Sequence, residues 1–315
     1  MVNNLIKRCA NHDHFRKDSP EQLWVWQGQR RVDIKESLGL ELPSVYGPPK
    51  AKIIHGRIDQ PFSGQFWHVE TAQDITTDLC LRTAAAGRPA GYVLKLSESA
   101  DREPQEKFCR TINQMGLAGV SVPLRGCDQP AGVFILAEIY LGLARCYAGS
   151  VVTDLMRVID HLEHQFSIDV EPIVLMLSGL GIPAGLALTA IDQRISALVI
   201  DFTSAPKSIL APVGSPPFFK DQFLHLGPNP LLVLAQCCAP RPMAIVNYPP
   251  DAQAPWLKNH KVGVLSFVDQ LAQIQNAYDA ANYTERLQIF GPDKTQPQIP
   301  DLIRQSLEYF QNPKK

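Results

Sequence analysis

Ile173-Val174-Leu175-Met176-Leu177-Ser178-Gly179-Leu180-Gly181-Ile182-Pro183-Ala184-Gly185 is the stretch on which the fold turns. Ile173–Leu177 is apolar without alternation, the pattern of a strand buried on both faces rather than one with a wet side. A glycine-rich turn, Ser178–Pro183, interrupts the run, and Ala184–Ile191 continues as a helix. Strand, turn and helix in direct succession form half of a crossover unit. The next strand, Arg194–Ile200, is therefore expected parallel to the first.

The same alternation extends outward in both directions. Upstream, Ala90–Leu96 reads as a strand, Pro104–Met115 as a polar helix and Leu117–Val122 as a strand ending at Pro123-Leu124-Arg125-Gly126. Gly149–Phe166 is a long helix. Its residues Val152, Leu155, Met156, Ile159, Leu162 and Phe166 recur at three- and four-residue steps and give one buried stripe. Thr153, Asp154, Arg157, Asp160, Glu163 and His164 fall largely away from it. Downstream, the rigid Ala239-Pro240-Arg241-Pro242 introduces a strand at Met243–Asn247. A helix at Val264–Ala281, a strand at Arg286–Phe290 and a helix at Ile299–Phe310 follow. Before all of these, Ile53–Ile58, Gln65–Glu70 and Leu79–Thr83 alternate and are separated by Gly, Pro and Asp, which predicts an antiparallel edge. Residues 1–50 are polar and Pro-rich in places, with a short amphipathic stretch around Ile34–Leu40. The expectation is an α/β chain with a mainly parallel sheet and helices on both faces. An N-terminal arm, 1–50, packs over one domain, 51–315.

Composition narrows the function classes. Of 315 residues, 45% are hydrophobic and 19% charged, and the formal net charge is -1. That balance supports a sizeable core and carries no electrostatic footprint for nucleic acid or an anionic membrane. The longest apolar runs are strand-sized, far short of a membrane span. Lys7, Arg8, His12, Asp13 and His14 stand where a secretory leader needs an apolar run. Seven cysteines without framework spacing read as reduced thiols, so the cytoplasm is the expected compartment. No G-x-G-x-x-G follows a strand, and no glycine-rich loop ends in Lys-Ser or Lys-Thr, so no nucleotide cofactor is expected. His12-Asp13-His14 has no further ligand nearby in sequence. His161 and His164 read as a solvated helix face, so no metal is expected either.

Four passages carry a family resemblance. These are Leu38-Gly39-Leu40 with Lys52–Ile58, then Val120 to Gly126, then Asp154-Leu155-Met156-Arg157-Val158-Ile159-Asp160, and Ala239-Pro240-Arg241-Pro242. In order and spacing they resemble the α/β-hydrolase superfamily, most nearly its acetyl-xylan-esterase and dienelactone-hydrolase-like group, over roughly residues 35 to 311. Pro123 stands where that group has the acid of its Asp-x-Arg-Gly. The resemblance implies the α/β-hydrolase fold and a Ser-His-acid site. The serine sits on a tight strand-to-helix turn with glycines two before and two after, and backbone amides receive the oxyanion.

Tested against that pattern, the catalytic positions are largely vacant. The family's nucleophile falls on Gly181 in one register of the turn and on Gly179 in the other. The nearby hydroxyl, Ser178, is flanked by Met176 and Leu180 instead of glycines. Asp251 follows its strand at the distance of the family acid, although Asn247-Tyr248-Pro249-Pro250-Asp251 also reads as an ordinary turn. Lys294 occupies the place of the family histidine, and a lysine protonated near pH 7 is a poor base. Lys95-Leu96-Ser97-Glu98 replaces the family's oxyanion His-Gly. Ala205–Pro230 is Pro-rich, with Phe218, Phe219, Phe223 and Leu224 close together, and is expected to cap the cleft. Three readings follow. The first is a catalytically degenerate hydrolase fold that binds a small molecule or a protein partner. The second is a carboxylic-ester hydrolase using Ser178, Asp251 and a base such as His225 or Lys294. The third is an assembly subunit that meets its partner, or another copy, through residues 216–224.

Overall fold

The computed structural model describes residues 15, 19–40, 48–59, 62–72, 75–84, 89–128, 132–142, 146–166, 171–203, 226, 229–248, 267–291 and 298–311. Helix α1 (Pro20–Leu38) comes first. The antiparallel strands β1 (Ala51–Asp59), β2 (Phe62–Ala72) and β3 (Ile75–Ala84) follow. The chain then alternates through β4 (Tyr92–Ser97), α2 (Arg102–Asn113), β5 (Ala118–Pro123), α3 (Gly132–Gly142), α4 (Tyr147–Phe166), β6 (Ile173–Ser178), α5 (Ile182–Ile191) and β7 (Ile195–Asp201). It ends through α6 (Pro230–Cys238), β8 (Met243–Val246), α7 (Phe267–Ala280), β9 (Leu287–Phe290) and α8 (Ile299–Gln311).

The strands join into one nine-stranded sheet in the order β1-β2-β3-β5-β4-β6-β7-β8-β9. From β5 to β9 every pairing is parallel, and β3 meets β5 antiparallel. The expected α/β class holds, with a mainly parallel sheet bearing an antiparallel edge. Central strands β4, β5 and β6 are buried along almost their whole length, as their unalternating apolar sequences require.

Three expectations change. The amphipathic stretch read at Ile34–Leu40 is the end of a longer helix that begins at Pro20, capped by Ser19 and stopped by Gly39 in the left-handed region. Helices α3 and α6 escaped the sequence reading because they are apolar nearly all round and so carry no stripe. On α4, Asp154, Arg157 and His161 are buried, although the stripe pattern turned Asp154 and Arg157 outward and made His161 part of a wet face. Each has a reason to go inside. Asp154 pairs with Arg125, Arg157 with Asp160, and His161 packs on Trp67 with ring centroids 4.8 Å apart.

Candidate functional site

Where a parallel sheet grows in both directions from one strand, the loops leaving its neighbours diverge and open a crevice at the C-terminal edge. Here that strand is β4, with β5 on one side and β6 on the other. The loop after β4 and the turn after β6 therefore face the same crevice, and both have defined geometry.

The loop after β4 is pinned by a chain of short polar links. Ser97 Oγ donates to the Ser99 carbonyl at 3.0 Å and accepts from the Ser99 amide at 3.3 Å. Gln105 Nε2, from α2, donates to the same carbonyl at 3.2 Å. Ser99 Oγ accepts from the Asp101 amide at 3.1 Å. The residue held between these links is Glu98.

Across the crevice, β6 ends in Ser178 with extended backbone, φ -144 and ψ 158. Gly179 then turns into the left-handed region at φ +52, and Gly181 returns to φ -75 as the residue before α5. Of the two glycines between which the sequence left the register open, Gly179 is the one with left-handed backbone. The Leu180 amide, next along, donates to Glu98 Oε1 at 2.7 Å. A Cβ added to Gly179 would fall 2.2 to 2.3 Å from the carboxylate atoms of Glu98. The carboxylate thus fills the volume that a side chain at 179 would need, and takes the amide beside it.

The remaining strand ends carry polar groups of a different kind. Asp201, last in β7 and level with Ser178 in the register, accepts from Asn247 Nδ2 at 2.9 Å, from the Thr203 amide at 2.9 Å and from Thr203 Oγ1 at 2.7 Å. Asn247 leaves β8 with φ +56, a conformation asparagine tolerates better than most residues. The ring of Tyr248 lies against Gly291, where an added Cβ would come within 3.2 Å of its hydroxyl. Asp251, Lys294, His225 and the aromatic group Phe218, Phe219, Phe223 and Leu224 lie outside the described residues, as do His12, Asp13, His14 and His260. The described histidines are His55 and His68 on the antiparallel strands and His161 and His164 on α4, none on a loop that follows a parallel strand. Among the described residues no three His, Cys, Asp or Glu side chains converge as a metal would require, and no helix is long and apolar enough to cross a membrane.

Carboxylates gather around Cys127, just past the end of β5. Burial pushes the Cys127 thiol up to about 11, and the carboxylates of Asp128, Asp101 and Glu98 push the same way. Arg125 is engaged elsewhere. Its guanidinium grips both carboxylate oxygens of Asp154, with Nε at 3.0 Å, and donates to Tyr140 Oη at 2.9 Å. Burial raises Asp154 above the usual carboxylate range, while Arg125 pulls it back down. Tyr147 Oη, donating to the Arg125 carbonyl at 2.8 Å, completes a clamp that ties the end of β5 to α4. In the sequence Glu98 stands out only as part of Lys95-Leu96-Ser97-Glu98, where an oxyanion glycine is missing. Its side chain reaches Leu180 across 82 positions of sequence, so no local pattern could have announced the contact.

The fold has counterparts among solved structures. A candidate acetyl xylan esterase from Bacteroides fragilis superposes with a TM-score of 0.69 at 16% identity, over 95% of this chain and 82% of that one. The fold is that of the α/β-hydrolases. A methylesterase matches this chain at TM-score 0.68 and 16% identity, over 99% of this chain and 69% of that one. A glucuronoyl esterase from Solibacter usitatus follows at 0.57 and 11% identity, with 91% and 92% covered. Identities this low establish the shared fold alone. No protein-family model and no curated protein matches the chain.

Proposed function

We propose that this chain is a catalytically degenerate α/β-hydrolase-fold protein whose crevice serves binding or assembly instead of ester hydrolysis. The observation that carries the reading is the Glu98 carboxylate. It sits on the Leu180 amide and in the space a side chain at Gly179 would occupy. Acyl transfer in this fold needs a nucleophile on the left-handed residue of the elbow and a free amide for the oxyanion. On our reading Gly179 holds the first position, with no side chain, and Leu180 holds the second, already given to a carboxylate. A carbonyl oxygen approaching this amide would meet negative charge as its own charge grew, the reverse of what lowers a barrier. A cytoplasmic setting belongs to the same proposal, since all six described cysteines are free thiols.

The names of the neighbouring structures favour a second reading, carboxylic-ester hydrolysis with Ser178 as a relocated nucleophile and Asp251 as acid. Hydrolysis of a short-chain aryl acetate by the purified protein separates the two. Degeneracy predicts a rate equal to the buffer background for both the natural chain and Ser178→Ala. Turnover by the natural chain that disappears in Ser178→Ala establishes the second reading and ends the first.

A further inference from the structure

Away from the crevice, on the antiparallel side of the sheet, two cysteines meet. Cys80 lies on β3, opposite Ser121 of β5, and Cys109 lies on α2. Helix α2 comes unusually close to the sheet here. A Cβ on Gly119 of β5 would lie 2.6 Å from the Cα of Cys109, so only glycine allows the approach. Cys109 Sγ donates to the Cys80 carbonyl at 3.5 Å, so the two residues are in direct contact. With Phe66 they form a small apolar cluster of their own, separate from the main core. Beside them is a cavity of about 10 Å³, lined by both cysteines and by Arg82, Glu106 and His55. His55 is exposed and Glu106 half-buried, so the cavity lies near the surface.

We propose that Cys80 and Cys109 form a redox pair, closed to a disulfide by a small hydroperoxide that enters this cavity. The pair is independent of the function proposed for the crevice. In the first step the Cys80 thiolate attacks the O–O bond of hydrogen peroxide. The sulfur is oxidised to a sulfenic acid, and hydroxide leaves as water with the proton the thiol gave up. In the second step the Cys109 sulfur displaces hydroxide from that sulfenic acid, and its own proton departs with the hydroxide as a second water. One disulfide and two waters result from two thiols and one peroxide. Burial holds Cys109 well above its ordinary value, although the Arg82 charge opposes this. The new bond ties β3 to α2, the helix whose Gln105 steadies the Glu98 loop.

The test treats the full chain with hydrogen peroxide, blocks remaining thiols with an alkylating agent in denaturant, and maps peptides without reduction by mass spectrometry. The pair predicts a linked peptide joining Cys80 to Cys109, its loss on reduction, and unlinked alkylated Cys109 in Cys80→Ser. Alkylated Cys80 and Cys109 recovered separately from treated natural protein overturns the proposal. So does either residue recovered as sulfinic acid or linked to a different cysteine. The decisive comparison uses the natural chain, so a poorly folded variant leaves it intact.

Discussion

An L-residue at φ +52 costs about 1 kcal/mol relative to glycine even where there is room for it, and at position 179 there is none. Gly179→Ala is therefore expected to destabilise the chain by about 2 kcal/mol in urea unfolding, part of it conformational and part from overlap with Glu98. In a Glu98→Ala background the overlap vanishes and the penalty falls to about 1 kcal/mol. Equal penalties in both backgrounds place the carboxylate somewhere other than over Gly179. The pairing of these residues explains why the sequence could not decide between Gly179 and Gly181. Backbone conformation distinguishes them, and two glycines leave no residue-type signal of it. Ser178 was legible as a hydroxyl at the end of a strand, but not its extended backbone, which keeps it off the crest of the turn.

Secondary elements were easier to read than the contacts between them. The period-free strands and the striped helix α4 announced themselves because burial on both faces, or on one, leaves a direct imprint on residue order. What order alone did not reveal is how polar residues of α4 find partners inside. Arg125 and Asp154 lie 29 positions apart and meet only in the folded chain. Asp154→Asn leaves the half-buried Arg125 charge without its counterion and is expected to cost about 3 kcal/mol, measured by the urea midpoint at constant slope. A loss under 1 kcal/mol contradicts a clamp. His161 supplies a pH dependence on the same helix. Burial lowers its folded pKa below 6.5, with the His164 charge acting in the same direction. The unfolded chain therefore binds the extra proton more readily, so stability is retained above pH 6.5 and falls as the pH drops through the folded value. Thermal unfolding followed between pH 7.5 and 5 is expected to show that fall, and His161→Phe to flatten it. An identical profile in the variant assigns the effect to other groups.

Over the whole molecule, the parallel sheet sets the crevice and the N-terminal residues help close the core. Phe15, Leu23, Ile34 and Leu38 are buried with the central cluster. Gln27 Nε2 donates to the carbonyls of Gln236 and Ala239 at 2.9 and 2.8 Å, and Arg31 Nε to that of Ala190 at 2.9 Å. Division into an arm, 1–50, and a domain, 51–315, is our proposal. On this packing Phe15 and α1 are a structural part of the fold. Each fully buried aliphatic side chain contributes about 1.5–3 kcal/mol. Removal of residues 1–40 should therefore produce a chain that binds hydrophobic dye and loses its cooperative thermal transition; a truncated chain that melts cooperatively at the original temperature refutes this. The central claim concerns the elbow, and covalent labelling tests it most directly. An alkyl fluorophosphonate phosphonylates a serine activated by a base and an oxyanion amide, and intact mass reads the adduct. Occupation of the elbow by Glu98 predicts an unchanged mass after prolonged exposure; a stoichiometric adduct mapped to Ser178 contradicts it.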